Sequence, residues 1–174
     1  MPRSRPRMFR ARDCPPCAQS PLLGPREARS VGSARRLGDP LSLAFVLFCD
    51  AWVAIVAEEV TRALDSATET AALNGKHRFR RWRIPTQLFQ GWAEARSGDP
   101  RGGEQRIRAA LAEMDATGAQ GRRPFALGLL AEAQLLAGQP AQAGDTLRLA
   151  TEEADRLGEH LYDPQLRALQ ARLR

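Results

Sequence analysis

Gly98-Asp99-Pro100 and, forty residues later, Gly138-Gln139-Pro140 are the stretches whose reading decides the fold. A Gly-x-Pro triplet ends one helix and starts another. Glycine accepts the left-handed conformation that a helix C-terminus favours, and proline tolerates the first helical position because its missing N–H has no partner there anyway. Asp99 adds a side chain able to cap the helix that follows. A second landmark, Gly118, recurs at Gly158, again forty residues on. Between these marks the spacing predicts first helices over about 84–97 and 124–137, and second helices over about 101–117 and 140–157. Asp163-Pro164 repeats the cap-plus-proline device and predicts a last helix over 164–174.

Working outward, each predicted helix carries an apolar stripe at i, i+3, i+4, i+7 spacing. The first helices show Leu88, Phe89, Trp92 and Ala95, then Leu127, Leu130, Ala131 and Gln134. The second helices show Ile107, Ala110, Leu111 and Met114, then Leu147, Ala150, Ala154 and Leu157. Small residues at Gly91, Ala93, Ala131 and Ala133 let neighbouring helices approach closely. A less regular unit spans about 41–75, with Asn74-Gly75 expected to close it. No segment alternates with period two for long enough to make a strand. The expected fold is all-α, with antiparallel helical hairpins stacked as a short right-handed solenoid. Its units fall at about 41–75, 80–118 and 122–158, with a half unit at 160–174. Stacking follows from burial, because one hairpin cannot cover its apolar face alone.

The net charge of +6 is concentrated at one end. Residues 1–40 hold nine arginines against three acids, and residues 41–174 hold 17 basic and 17 acidic residues. That balance gives no reason to expect nucleic acid along the repeat surface. Residues 1–40 are rich in Pro, Arg, Ser and Gly and read as a disordered tail. One lysine against 25 arginines, with abundant Ala, Gly and Pro, is the signature of GC-rich coding and of a bacterial source. Cys14-Pro-Pro-Cys17 has redox spacing but lacks flanking strand and helix, and His77 and His160 stand too far off to complete a zinc site. No metal or cofactor is expected. The apolar run from Leu41 to Ala57 approaches membrane length, but Asp50 at its centre would cost about 2.5–3.5 kcal/mol in a bilayer. Two helices meeting near Asp50 are expected there instead, in a cytoplasmic protein.

Two local features bear on chemistry. Lys76-His77-Arg78-Phe79-Arg80-Arg81-Trp82-Arg83 interleaves cations with aromatics, so Arg78, Arg80, Arg81 and Arg83 are candidate nucleic-acid contacts. The competing reading is a linker whose aromatics pack on the preceding unit while its arginines stay solvated. His77 and His160 have no Ser, Cys or acid at a catalytic spacing, so no enzymatic activity is expected. No Gly-x-x-x-x-Gly-Lys-Ser/Thr phosphate loop is present.

The motif string resembles a known family. Gly91-Trp92-Ala93-Glu94-Ala95-Arg96-Ser97-Gly98-Asp99, Ile107-Arg108-Ala109-Ala110-Leu111, Ala116-Thr117-Gly118-Ala119, Arg123-Pro124-Phe125, Leu129-Leu130-Ala131-Glu132-Ala133 and Ala137-Gly138-Gln139 are similar to segments of one region. That region is the tetratricopeptide-like C-terminal part of large bacterial adenylate/guanylate cyclases and related ATPase-type transcriptional activators. Residues 85–174 carry the resemblance well, 41–75 weakly and 1–40 not at all. Cyclase, DNA-binding and ATPase modules precede this region in such proteins and have no counterpart here, so no catalytic or nucleotide-binding residue carries over. The resemblance implies a regulatory or protein-binding scaffold, detached from a larger signalling protein. In stacks of this kind the first helices line a concave groove, which makes Leu88, Trp92, Arg96 and Glu132 the candidate groove residues for a protein or peptide partner. A half unit at the end implies an apolar surface around Leu161, Leu166, Leu169 and Leu173, open to homodimerisation. The alternative function is a nucleic-acid-associated regulator using Arg78–Arg83 and the basic tail.

Overall fold

The computed structural model describes residues 23–173, all helices and turns. Among the described residues the helices are α1 (Leu23–Leu37), α2 (Pro40–Val56), α3 (Val60–His77), α4 (Arg83–Arg96), α5 (Pro100–Thr117), α6 (Arg123–Leu136), α7 (Pro140–Leu157) and α8 (Asp163–Ala171), with a 3₁₀ turn at Arg80–Trp82. The connections are short, so each helix folds back along its predecessor. The pairs α2/α3, α4/α5 and α6/α7 pack face to face, α3 meets α4, and α5 meets α6. The first helices of successive pairs also touch, α2 on α4, α4 on α6 and α6 on α8.

A forty-residue register runs through these boundaries. Helices α3, α5 and α7 begin at residues 60, 100 and 140 and end at 77, 117 and 157. Helices α2, α4 and α6 end at 56, 96 and 136. The core obeys the same count: Ala63, Gly103 and Ala143 pack inside, as do Ala67, Ile107 and Leu147, and Thr70, Ala110 and Ala150. Helix α1, which the sequence assigns to a disordered tail, ends at Leu37 and therefore stands in the register of a second helix, packed on α2. Cys14, Cys17 and the rest of that tail up to residue 22 lie outside the described residues. Its boundary turn, Gly38-Asp39-Pro40, uses the same residues as Gly98-Asp99-Pro100. In both the aspartate accepts a backbone N–H three residues on, Ser42 at 2.8 Å and Gly102 at 2.9 Å, as a helix cap should.

Two expectations for residues 41–75 are corrected. No junction falls near Asp50, because α2 runs unbroken to Val56. Asp50 is instead 7 % exposed on the inner side of that helix. It accepts hydrogen bonds from Arg62 at 2.6 Å and Ser66 at 2.5 Å, both on α3. A buried carboxylate persists only when paired in this way, so an acid inside an apolar run reports a partner on the next helix, not a break. Nor does the unit close at Asn74-Gly75. Helix α3 continues to His77, and Arg78 takes the left-handed cap with φ 57°. No helix among the described residues is long and apolar enough to cross a membrane.

At two register positions the first unit departs from the later ones. Gly98 and Gly138 have positive φ where Glu58 does, and Gly118 and Gly158 where Arg78 does. A side chain in this conformation costs about 1 kcal/mol relative to glycine, partly offset by the stiffer unfolded chain. Arg78→Gly is therefore expected to stabilise the fold by about 0.5–1 kcal/mol and raise Tm by about 2–4 °C, read by thermal circular dichroism. An unchanged or lower Tm would show that Arg78 is not strained.

Close packing makes the opposite prediction at Gly103. A Cβ there would fall 2.3 Å from the Gly91 carbonyl oxygen and 2.7 Å from the Ala95 nitrogen, both backbone atoms of α4. Neither can yield without parting the two helices. Gly103→Ala is expected to destabilise by about 3 kcal/mol, measured by urea unfolding; a loss under about 0.5 kcal/mol would mean that the backbones do not meet there.

Candidate functional site

Of the four candidate groove residues, three come together and one does not. Leu88, 5 % exposed, is core. Trp92 is also buried, but its indole N–H donates to Glu132 Oε2 at 2.8 Å across the α4–α6 contact. Arg96 donates to Glu132 Oε1 at 2.6 Å with one arm and to Glu58 Oε2 at 3.0 Å with the other, and its guanidinium lies 5.3 Å from the Trp92 ring centroid. Arg172, from the turn after α8, stands 3.6 Å from Glu132 Oε1. Burial tends to lower the Arg96 pKa, but the charges of Glu132 and Glu58 outweigh it and hold it above its usual value. The sequence missed Glu58 and Arg172. The forty-residue register could have supplied Arg172, since Trp52, Trp92, Glu132 and Arg172 share one position of the register.

A second assembly runs beside the first. Phe48 stacks on Phe89 at 5.5 Å and against Trp82 at 4.8 Å. Trp52 stacks on Phe125 at 5.7 Å and on Tyr162 at 5.8 Å, and Tyr162 stacks on Phe125 at 4.5 Å. The turns between units feed this row from one register position, occupied by Trp82, Arg122 and Tyr162. Arg122 has positive φ, donates its backbone N–H to Glu159 at 2.9 Å, and holds its guanidinium 3.9 Å from the Trp52 centroid. Cys49 is half-buried on the same helix. Burial pushes its thiol pKa up, only partly opposed by Arg122, so it is a poor nucleophile.

The Arg78–Arg83 segment comprises the turn between α3 and α4 and the first residue of α4. Trp82 is buried, and Phe79 stacks on His77 at 5.4 Å. Arg78, Arg80 and Arg81 are exposed, while Arg83 forms an ion pair with Glu113. The aromatics thus serve packing, which removes the free ring faces that base stacking needs. His160 faces Asp163 at 3.4 Å and Asp155 at 4.0 Å. No group of three or more potential metal ligands occurs among the described residues. At the C-terminal end, Leu166 and Leu169 are buried in the chain's own core and Leu173 packs against it, which leaves Leu161, 73 % exposed, as the open leucine of the four expected there. No family model, curated protein or solved structure matches the chain.

Tyr162 offers a pH test, because it is the only tyrosine in the sequence. Burial pushes its phenol pKa well above the ordinary 10.0, Arg122 opposes this, and Glu159 adds to it. The folded state thus favours the neutral phenol. Its contribution to stability is complete below about pH 10 and is lost as pH rises toward the folded value. Tyrosinate absorbance is expected to appear only together with loss of helical circular dichroism. Ionisation at ordinary pH with the helices intact would mean that the ring is solvated.

Proposed function

We propose that the chain is a non-catalytic interaction or regulatory scaffold, a right-handed tetratricopeptide-like solenoid acting in the cytoplasm as part of a cyclase- or activator-type signalling protein. The observation that carries this reading is the forty-residue register, in which successive first helices pack on one another. A continuous row of first helices is how hairpin stacks present an extended surface to a peptide. The network joining Glu58, Arg96, Glu132 and Arg172 crosses three successive units and the half unit after them, with Glu58 and Arg172 about half exposed. It supplies polar groups at the rim and a rigid apolar body behind them. A homodimer through the C-terminal end would use Leu161, in the turn before α8, since Leu166 and Leu169 are already buried.

Selection from a displayed peptide library on the immobilised chain tests the proposal. Enriched peptides are expected to share a motif and to lose binding when Glu58 and Arg172 are both replaced by Ala. A library that yields no enrichment would sink the scaffold reading. Tight binding of unrelated oligonucleotides instead, falling steeply between about 50 and 200 mM salt, would put the nucleic-acid regulator in its place.

A further inference from the structure

Arginines along the helices are mostly neutralised by acids, among them Arg35 by Glu69, Arg62 by Asp50, Arg106 by Glu94 and Arg156 by Glu153. Arg78, Arg80, Arg81 and Arg122 are not. All four are exposed, and none forms an ion pair among the described residues. They lie on two successive inter-unit turns, 78–82 and 118–122. The turns meet at Phe48, which stacks on Trp82 and lies 5.4 Å from the Arg122 guanidinium.

Two of these cations are also held in place. Arg81 lies 5.4 Å from the Trp82 centroid, and Arg122 lies 3.9 Å from that of Trp52. A guanidinium resting on a ring face keeps its in-plane N–H donors free, and its side-chain entropy is already partly spent. Of the acids nearby, Glu113 pairs with Arg83, and Glu159 accepts the Arg122 backbone N–H while keeping its charge.

We infer that this edge, Arg81 and Arg122 with Arg78 and Arg80 beside them, is a docking site for an acidic peptide segment, whose carboxylates pair with the stacked guanidiniums. Carboxylates suit planar, bidentate donors. Bases do not suit the edge, because Trp82 is buried under Phe48 and Arg81, and Phe79 is stacked on His77. The inference rests on the scaffold reading and names its partner's chemistry.

Fluorescence anisotropy of a labelled oligoglutamate peptide with the full chain tests it. The double substitution Arg81→Gln and Arg122→Gln is expected to weaken binding at least about tenfold. Arg36→Gln with Arg101→Gln removes the same charge elsewhere and is expected to change it by less than about twofold. Arg122→Lys keeps the charge without the fork and is expected to fall between. Equal losses in both double variants, or no binding by the intact chain, would overturn the inference, as would tighter binding of oligothymidylate of equal length. If library selection yields neutral or basic peptides while oligoglutamate stays unbound, the docking site fails and the scaffold stands.

Discussion

Helices α2, α4 and α6 are each covered on two sides, by a hairpin partner and by a neighbouring first helix. Everything else answers to that double burial. A helix so enclosed needs apolar residues on more than one stripe, which is why α6 buries Phe125, Leu127, Leu129 and Leu130 together. It also needs somewhere for its neighbour's backbone to go. Gly91 and Gly103 provide that place between α4 and α5, and the register keeps Ala51 and Ala131, or Ala63 and Ala143, where the other pairs meet.

Several buried polar groups have their hydrogen-bonding needs met within the stack. Asp50 meets them through α3, Trp92 through Glu132 on the following first helix, and Glu104 through Arg108 and Gln139. These contacts tie specific helices together and supply the directionality that hydrophobic burial lacks. The aromatic row does so in another way, because residues as distant in sequence as Trp52 and Tyr162 meet on it. The chain therefore curls far enough to bring the beginning of one helix row near its end.

Much of this was legible in the sequence. The Gly-x-Pro punctuation gave α4 to α7 to within a residue, since such turns are local chemistry. The residues that the stripes named are buried, apart from Leu157, which stays partly exposed, but Phe125 and Leu129 on α6 are buried outside any stripe. Residues 23–77 were harder. Glu58 and Arg78 occupy left-handed positions without the glycine that marks them elsewhere, so neither turn announces itself. Gly38-Asp39-Pro40 repeats a later triplet, but it sits between units and so disguises the helix before it. The groove candidates were read from resemblance to a family, and three of the four meet. Their partner Glu58 left no local trace because its hydrogen bond to Arg96 spans 38 residues, whereas Arg172 stands one forty-residue step beyond Glu132, the acid it approaches.

The ion pairs that cross between units have a consequence for the array as a string of parts. Apolar positions recur every forty residues and would accept one unit in place of another. The charges do not recur: Glu132 stands where Trp92 and Trp52 stand in the preceding units, and Arg172 stands where the next would be. A unit duplicated or transposed within the chain would keep its fit and meet the wrong neighbours. The core is written in a common alphabet, while the electrostatics number the pages and keep them in order.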